Sequence, residues 1–441
     1  MGYKVNLVYM AFKNLGRHRV KTTVTIIAVF ISVWLYIFMD AWLLGMENES
    51  KINLVNYETG EAKIYKKEYY DKKDEIPMHE GFYNYKEIIK SLDENGYVAS
   101  PHFKFGGSLL SSSIELPFLF LGVDAEAEKE LFLIDKYIEK GRFIENGKFE
   151  IMIGARGAKD LNVAVGDDVR LLTVIDKKDD NGKIKHIHQL IDLKIVGIIN
   201  SPNPVTNLKI GYLPLDVLQD DRGLLLEGMI TEICISKKNR RLDYLPDKFS
   251  VVNDIAKVVP GVKRITNGEV KSDDIVVVSW FDDAKDLIAI TRTKSTGSKT
   301  MIVFLFFLSF IGIANTMLMS VLERTKEIGM IRAIGMKDSE LKRLIIYEAV
   351  FIGLIGASLG IVLGLITNLY MVNVGIDFSF MTEEMDMESY GYRVIGNFKA
   401  GWNFTTIVAC GIIAPLISAL VSIAPINRAL KISISDAMRF E

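Results

Sequence analysis

Two cysteines occur in 441 residues, too few for a scaffold stapled by disulfides. Cys234 stands in a strand-like stretch and Cys410 in an apolar run, so a bridge between them is not expected. Histidine is nearly as scarce, at five, and no Cys/His cluster has the spacing of a metal site. His186 and His188 alternate along a strand-like stretch and read as a polar strand face rather than a ligand pair. A basic surplus is also missing: 53 Lys and Arg stand against 55 Asp and Glu, for a formal net charge of −2, which argues against nucleic acid as a partner. Gly297-Ser298-Lys299-Thr300 is no phosphate cradle, because a Ser separates its Gly from its Lys and no earlier Gly stands at the required distance. Nor is there a Ser/His/Asp, H-E-x-x-H or G-x-S-x-G arrangement. The chain is expected to be non-catalytic, with no metal or cofactor of its own.

Long apolar runs, by contrast, are abundant. Hydrophobic residues make up 49% and charged ones 24%, with a mean hydropathy of +0.21, so charge and apolar surface are expected in separate segments. Four runs, Thr22–Leu44, Met301–Leu322, Ala349–Val374 and Phe404–Ile426, match the length needed to cross a hydrocarbon core of ~30 Å. Asp40, near one end of the first run, is their obvious ionisable intruder; a charge at mid-bilayer costs at least ~2.5 kcal/mol. The first run is longer than a signal-peptide core and no A-x-A site follows it, so it reads as an anchor.

Lys and Arg set the orientation. The leader carries Lys4, Lys13, Arg17, Arg19 and Lys21, the loop after the second run carries Arg324, Lys326, Arg332, Lys337, Lys342 and Arg343, and the tail adds Arg428, Lys431 and Arg439. The loop before the fourth run is acidic instead, with Asp377, Glu383, Glu384, Asp386 and Glu388. The positive-inside rule puts both termini and residues 323–343 in the cytoplasm. The expected fold is thus an α-helical integral membrane protein with four transmembrane helices and a large α+β extracytoplasmic domain inserted between helices 1 and 2. Its segments are 1–21, a cytoplasmic amphipathic leading helix; 22–44, the first span; 45–299, the outer domain; 300–322, the second span; 323–343, a cytoplasmic helix; 344–374, the third span; 375–403, an outer loop; 404–426, the fourth span; and 427–441, a cytoplasmic tail.

Within 45–299, strand-like alternation marks Glu150–Ile153, Asp168–Val174, Leu193–Ile199, Thr231–Ile235 and Asp274–Val278. Apolar spacing of three and four marks helices over Tyr85–Leu92, Ala125–Ile134 and Lys248–Val258. Val169–Ile199 reads as a projecting hairpin with Asn181-Gly182 at its tip, a pair suited to the positive φ angles of a type I′ turn. Asn181 and Gly182 would mark a partner site; an ordinary hairpin without a partner is the plain alternative.

Glu323–Met336 reads ERTKEIGMIRAIGM. Ile328, Ile331 and Ile334 recur every three residues as an apolar stripe. Glu323 and Glu327 lie one helical turn apart and repel weakly; they also follow the C-terminal end of a helix, whose dipole favours cations. Basic groups on an outside partner would answer both costs. In the third run Gly356, Gly360 and Gly364 recur every fourth residue, with Gly353 beside them, the small-residue pattern that lets helix backbones approach within the chain or across a dimer. Pro415 is expected to bend the fourth helix.

These residues resemble the permeases of the MacB/Lol/FtsX superfamily of ABC transporters. Glu323–Gly335 is similar to that family's E-[RK]-x-x-E-I-[GA]-x-[LM]-R-[AT]-x-G signature, Phe12–Thr22 to its leading helix and Ala424–Glu441 to its closing tail. Glu139–Leu171 resembles the G-R…E…[IV]-G…L-x-V-x-x-G-D-x-V run of its outer domain. The resemblance implies a mechanotransmitting subunit in a bacterial inner membrane, paired with a second permease, identical or homologous. Separate ABC ATPase subunits would bind the ATP and magnesium. Glu323, Arg324, Glu327, Ile328, Gly329, Arg332 and Gly335 would form the coupling contact with the ATPase. Among branches, the lipoprotein-releasing permeases come first, with a lipoprotein cargo and a periplasmic carrier as partners alongside membrane lipids. The segment Ile175–Ile191 is charged and lacks the Pro of a carrier hook. A MacB-like efflux permease for peptides or antibiotics is the alternative, and an FtsX-like relay to cell-wall hydrolases, whose outer domain is usually much smaller, comes third.

Overall fold

The computed structural model describes residues 7–17, 19–112, 114–132, 134–178, 184–201, 203–220, 224, 228–265, 270–377 and 397–432. They divide into two compact units, one built from residues up to 47, 292–377 and 397 onward, the other from residues 48–291.

The first unit is helical. Three of its helices, Arg19–Leu54, Asp338–Asn373 and Phe404–Leu430, are long and apolar enough to cross a membrane. The helix Lys285–Glu323 carries the second apolar run. Helix limits and apolar limits differ. The first helix continues past Leu44 through Glu47–Lys51, because Glu and Lys are poor lipid residues but good helix formers. The third begins at Asp338, where the Glu340 carboxylate accepts the Lys337 backbone N–H at 3.2 Å and satisfies one of the unpaired N-terminal donors.

The four-residue glycine spacing places the third helix against its neighbours. A Cβ at Gly356 would come within 2.6 Å of Val29 Cβ, at Gly360 within 2.8 Å of Val33 Cβ, and at Gly364 within 3.0 Å of Ile37 Cγ2. Gly353 faces the fourth helix, with Pro415 Cα at 2.8 Å from the same virtual position. Without a hydrophobic force between helices in lipid, such close van der Waals approach is what holds them together. Asp40, 7% exposed, accepts a hydrogen bond from Asn403 Nδ2 at 2.7 Å. Asn403 also caps the fourth helix, its Oδ1 accepting from the Thr406 N–H. A buried carboxylate at a span's end is tolerated because it has a polar partner.

The second unit is a mixed sheet dressed with short helices. Its strands are β1 (Ala62–Lys66), β2 (Tyr97–Leu110), β3 (Glu115–Val123), β4 (Ile138–Gly141), β5 (Glu150–Gly154), β6 (Asp168–Lys178), β7 (Ile184–Ile199), β8 (Ile210–Pro214), β9 (Glu232–Lys237), β10 (Val262–Arg264) and β11 (Ile275–Ser279). They pair in the order β10-β11-β1-β9-β2-β3-β8-β5-β7-β4, and β6 pairs with both β2 and β7. The strands β2, β3, β8, β5, β7 and β6 therefore close on themselves, while β9, β1, β11 and β10 extend from β2 as an open sheet. Long β2 serves both parts, meeting β9 over Tyr97–His102 and β6 over Ser108–Leu110. Gly107 permits the change of neighbour, since a Cβ there would come within 2.6 Å of the Leu172 carbonyl oxygen. The helix Tyr85–Glu94 turns Tyr85, Ile88 and Leu92 into the core, the three- and four-residue spacing of an amphipathic face.

Strands β6 and β7 form an antiparallel ladder from Asp168↔Lys194 to Lys178↔Ile184. Beyond Thr173, whose Oγ1 donates to the Gly106 carbonyl at 2.7 Å, Val174–Lys178 and Ile184–His188 pair only with each other among the described strands. At 3.3–3.4 Å per residue this self-paired arm is roughly 17 Å long. Asn181 and Gly182 lie outside the described residues.

Candidate functional site

The signature segment folds as a short helix, Thr325–Ala333, directly after the helix that ends at Glu323. Its termination is built by Gly335. With φ at +106°, Gly335 donates its N–H to the Arg332 carbonyl at 3.0 Å, and Met336 donates to Ile331 at 3.3 Å. This double bond pattern is a Schellman motif, which needs a residue free to take positive φ.

Every charged residue expected at the coupling contact has a partner inside the chain. Glu327 lies 2.9 Å from Arg17, and Glu323 pairs with Lys21. Arg324 Nη1 donates to both carboxylate oxygens of Glu348, at 2.8 and 3.0 Å. Arg332 Nε donates to Asp338 at 2.9 Å, and its Nη1 to the Ile432 carbonyl at 2.8 Å. The basic groups that answer Glu323 and Glu327 thus come from the leader and the start of the first long helix, so the two carboxylates need no basic partner from outside. The Arg324–Glu348 pair is shielded, at 14% and 8% side-chain exposure, whereas Arg17 and Glu327 are half open to solvent. Arg17, Lys21, Arg324, Glu327 and Glu348 surround a cavity of about 120 Å³, closed on its apolar side by Val321, Ile345 and Ile352.

The isoleucine stripe does not bury along its length. Three residues span 300° of helical rotation rather than a full turn, so the stripe winds around the axis. Ile328, 6% exposed, packs among Ala11, Val321, Leu341, Leu344 and Ile426, and Gly329 is buried beside it. Ile334 at the far end is 88% exposed, and Met330 is 46% exposed. The segment thereby presents an apolar tip on a scaffold of ion pairs, an arrangement suited to entering a groove on a partner. Sequence reasoning placed the signature here but not the arginine and lysine from the leader.

A second cluster, in the sheet unit, has no signal in the sequence. His102 of β2 and Glu232 and Cys234 of β9 lie side by side, all at most 3% exposed. His102 Nε2 is 2.7 Å from Glu128 Oε2, which also accepts from Ser100 Oγ at 2.6 Å. The other imidazole nitrogen, Nδ1, faces Glu232 Oε1 at 3.5 Å and Cys234 Sγ at 3.6 Å. Lys63 donates to Glu232 at 2.9 Å and lies 3.7 Å from Asp283. Burial alone would lower the basicity of His102, but the Cys234 sulfur and the Glu128 carboxylate outweigh it and hold the ring well above the usual histidine range. Burial would raise Glu232, yet Lys63 and His102 keep its carboxyl well below the ordinary value. Burial pushes the Cys234 thiol up. The donors are separated by up to 132 residues, and only the β2–β9 pairing brings them together.

Comparison with known proteins adds the following. Residues 299–434 match the model for the FtsX-like permease C-terminal family. An uncharacterized ABC transporter permease of Methanocaldococcus jannaschii is 23% identical over 368 residues, covering 82% of this chain and 83% of its own. The ABC transporter permease YtrF of Bacillus subtilis is 22% identical, with 98% of each chain covered. The macrolide export ATP-binding/permease protein MacB 2 of Yersinia pestis is 27% identical over 188 residues, which are 43% of this chain and 25% of that protein. The solved periplasmic region of MacB from Actinobacillus actinomycetemcomitans aligns with a TM-score of 0.33 at 12% identity, covering 52% of this chain and 92% of the other.

Proposed function

We propose that this chain, a member of the MacB/FtsX superfamily of ABC transporter permeases, is a non-catalytic membrane subunit that transmits the work of a separate ATPase to its sheet unit. The observation that carries this reading is the segment Glu323–Gly335: a short helix pinned by ion pairs on one side and exposing Met330 and Ile334 on the other. In this reading the segment seats in an ATPase groove on the cytoplasmic side of the inner membrane, with both termini on that side. The chain crosses four times, Lys285–Glu323 supplying the remaining span, and pairs with a second permease. Movement of the short helix is passed to the first, second and third helices through Lys21, Glu323, Arg324 and Glu348, which join them. The sheet unit lies outside.

The task we assign is release of lipoproteins from the membrane, with the β6–β7 arm as the element that meets an extracytoplasmic partner. The arm supports this because, past Ile187, which packs against the core, its strands pair only with each other among the described strands. Efflux of a small molecule is the second reading, favoured by the 188-residue likeness to a protein named for macrolide export. Depletion of the chain distinguishes the two. Mature lipoproteins should accumulate in the inner membrane; normal lipoprotein sorting with new macrolide sensitivity would reverse the order. The coupling role has its own test, stimulation of ATPase activity in the reconstituted complex. Ile334→Asp should abolish stimulation without altering the melting temperature, and full stimulation in that variant would remove the assignment.

A further inference from the structure

Buried polar groups in a sheet are costly unless each has a partner, and the cluster around His102 is unusual in bringing a thiol, an imidazole and a carboxylate to one point. We propose that His102, Glu232 and Cys234 form a binding site for one divalent transition-metal ion of the zinc type, within the sheet unit. The geometry is the first support. Nδ1 of His102, Oε1 of Glu232 and Sγ of Cys234 form a triangle with edges of 3.5, 3.6 and 3.9 Å. Tetrahedral coordination with zinc–nitrogen and zinc–oxygen bonds near 2.0 Å and a zinc–sulfur bond near 2.3 Å sets donor separations of about 3.3–3.6 Å. The side chains therefore need to move only by tenths of an ångström to close on an ion.

The surroundings are the second support. Metal-bound histidines almost always give their other ring nitrogen to a carboxylate, which fixes the ring's orientation. Here Glu128 takes that place at 2.7 Å from Nε2, and Ser100 holds Glu128 in turn at 2.6 Å. The charged neighbours are the third: Glu128 lies 2.7 Å from His102, and the ammonium of Lys63 lies 2.9 Å from Glu232 and 3.7 Å from Asp283, so three carboxylates stand around the site against one lysine. Sulfur, nitrogen and oxygen donors together suit zinc or cobalt better than magnesium or calcium, which select oxygen alone. Three protein donors leave a fourth position for water. The ion would clamp β2 to β9, the seam between the closed ring of strands and the open sheet.

The test uses the full-length chain in detergent, purified from cells grown with added zinc. Elemental analysis should find one zinc per chain, and Cys234→Ser and His102→Gln should each lose it. In protein stripped and reloaded with cobalt, the wild type should show thiolate-to-cobalt charge transfer in the near ultraviolet together with tetrahedral bands in the visible. Cys234→Ser should lack the charge-transfer band. Absence of that band in the cobalt-treated wild type, or zinc content unchanged in Cys234→Ser, would overturn the proposal; the wild-type reading stands whether or not the variants fold.

Discussion

Arg17 Nη2 lies 2.9 Å from Glu327 Oε1, joining the chain's leader to the middle of the signature helix across more than three hundred residues of sequence. Both side chains are partly solvated, at 61% and 31% exposure, so the pair is worth only about 0.2–1 kcal/mol to folding. Its role is in geometry, because it ties the short helix to a segment that continues into the first long helix. Glu327→Lys should leave the melting temperature within a few degrees of wild type yet remove most ATPase stimulation in the reconstituted complex. The double variant Arg17→Glu with Glu327→Lys should restore stimulation. Undiminished stimulation in the single variant would show that the pair plays no part in coupling.

The Arg324–Glu348 pair should behave differently. It is shielded, and each carboxylate oxygen of Glu348 is bonded. Removing one partner from a buried pair costs about 3–5 kcal/mol, because the other charge is left without compensation. Glu348→Ala should therefore lower thermal stability sharply in detergent. Arg324→Met combined with Glu348→Leu should recover most of the loss. A Glu348→Ala protein as stable as wild type would mean that water reaches the pair.

Gly335 terminates the signature helix in a conformation that side chains disfavour. Gly335→Ala should cost about 1–2 kcal/mol by forcing a Cβ into positive φ. Nothing lies within 4 Å of the site a Cβ would occupy, so any loss comes from the backbone alone. Stimulated ATPase activity should fall as well, because the exposed Ile334 precedes the turn and changes direction with it. A variant equal to wild type in both measurements would separate the turn from coupling.

How far these sites were legible depends on the range of the interactions that make them. The glycines at 356, 360 and 364 were legible because one helix carries the whole pattern, and the structure sets them against Val29, Val33 and Ile37. That a helix of this chain, rather than a second copy, fills the groove was not legible, since both would use the same residues. The awkward carboxylates Glu323 and Glu327 were visible as local costs. Their partners were not, because Arg17 and Lys21 read equally well as topology signals. Helix limits were not legible for a simpler reason: hydropathy reports where lipid ends, while propensity lets the first helix run on to Leu54. Glu232 and Cys234 stand two apart on one strand, but His102 lies 132 residues from Cys234, and strand register alone brings it to them.

The glycine face supplies a graded test. A Cβ at Gly360 would meet Val33 Cβ at 2.8 Å and the Phe30 carbonyl oxygen at 2.9 Å, and the backbone oxygen cannot move aside without shifting the first helix. Gly360→Leu should abolish folded protein in the membrane, measured as monodisperse material after detergent extraction. At Gly411 the nearest atom is Ile361 Cδ1 at 3.4 Å, an ordinary contact with the end of a flexible side chain. Gly411→Ala should be tolerated. Equal yields from both variants would mean that the first and third helices do not pack closely in the membrane.

The β6–β7 arm permits a deletion that separates folding from function. Its outer pairs, Asp176↔His186 to Lys178↔Ile184, meet no other strand among the described residues and lie beyond Ile187, which packs against the core. Replacing residues 176–186 with a two-residue Asn-Gly turn keeps Ile187 and its contact with the core, and should leave the sheet unit's melting temperature unchanged, because the shortened strands still meet in a turn of the favoured type. Lipoprotein release should stop. Release at the wild-type rate from the shortened chain would take the partner contact away from the arm.

Orientation is open to chemical labelling, because both native cysteines are buried and free. A cysteine in place of Ile334, at 88% exposure, reports the signature segment, and one in place of Tyr244, at 64% exposure, reports the sheet unit. A membrane-impermeant maleimide added to intact cells should modify Tyr244→Cys and spare Ile334→Cys. Inverted vesicles stripped of the ATPase should give the opposite pattern. Neither residue is buried in the chain, so with the ATPase stripped away a silent site reports shielding by the bilayer rather than by the fold or a partner. Modification of Ile334→Cys in intact cells would place the signature on the side that holds no ATP, and an ATPase could then not be its partner.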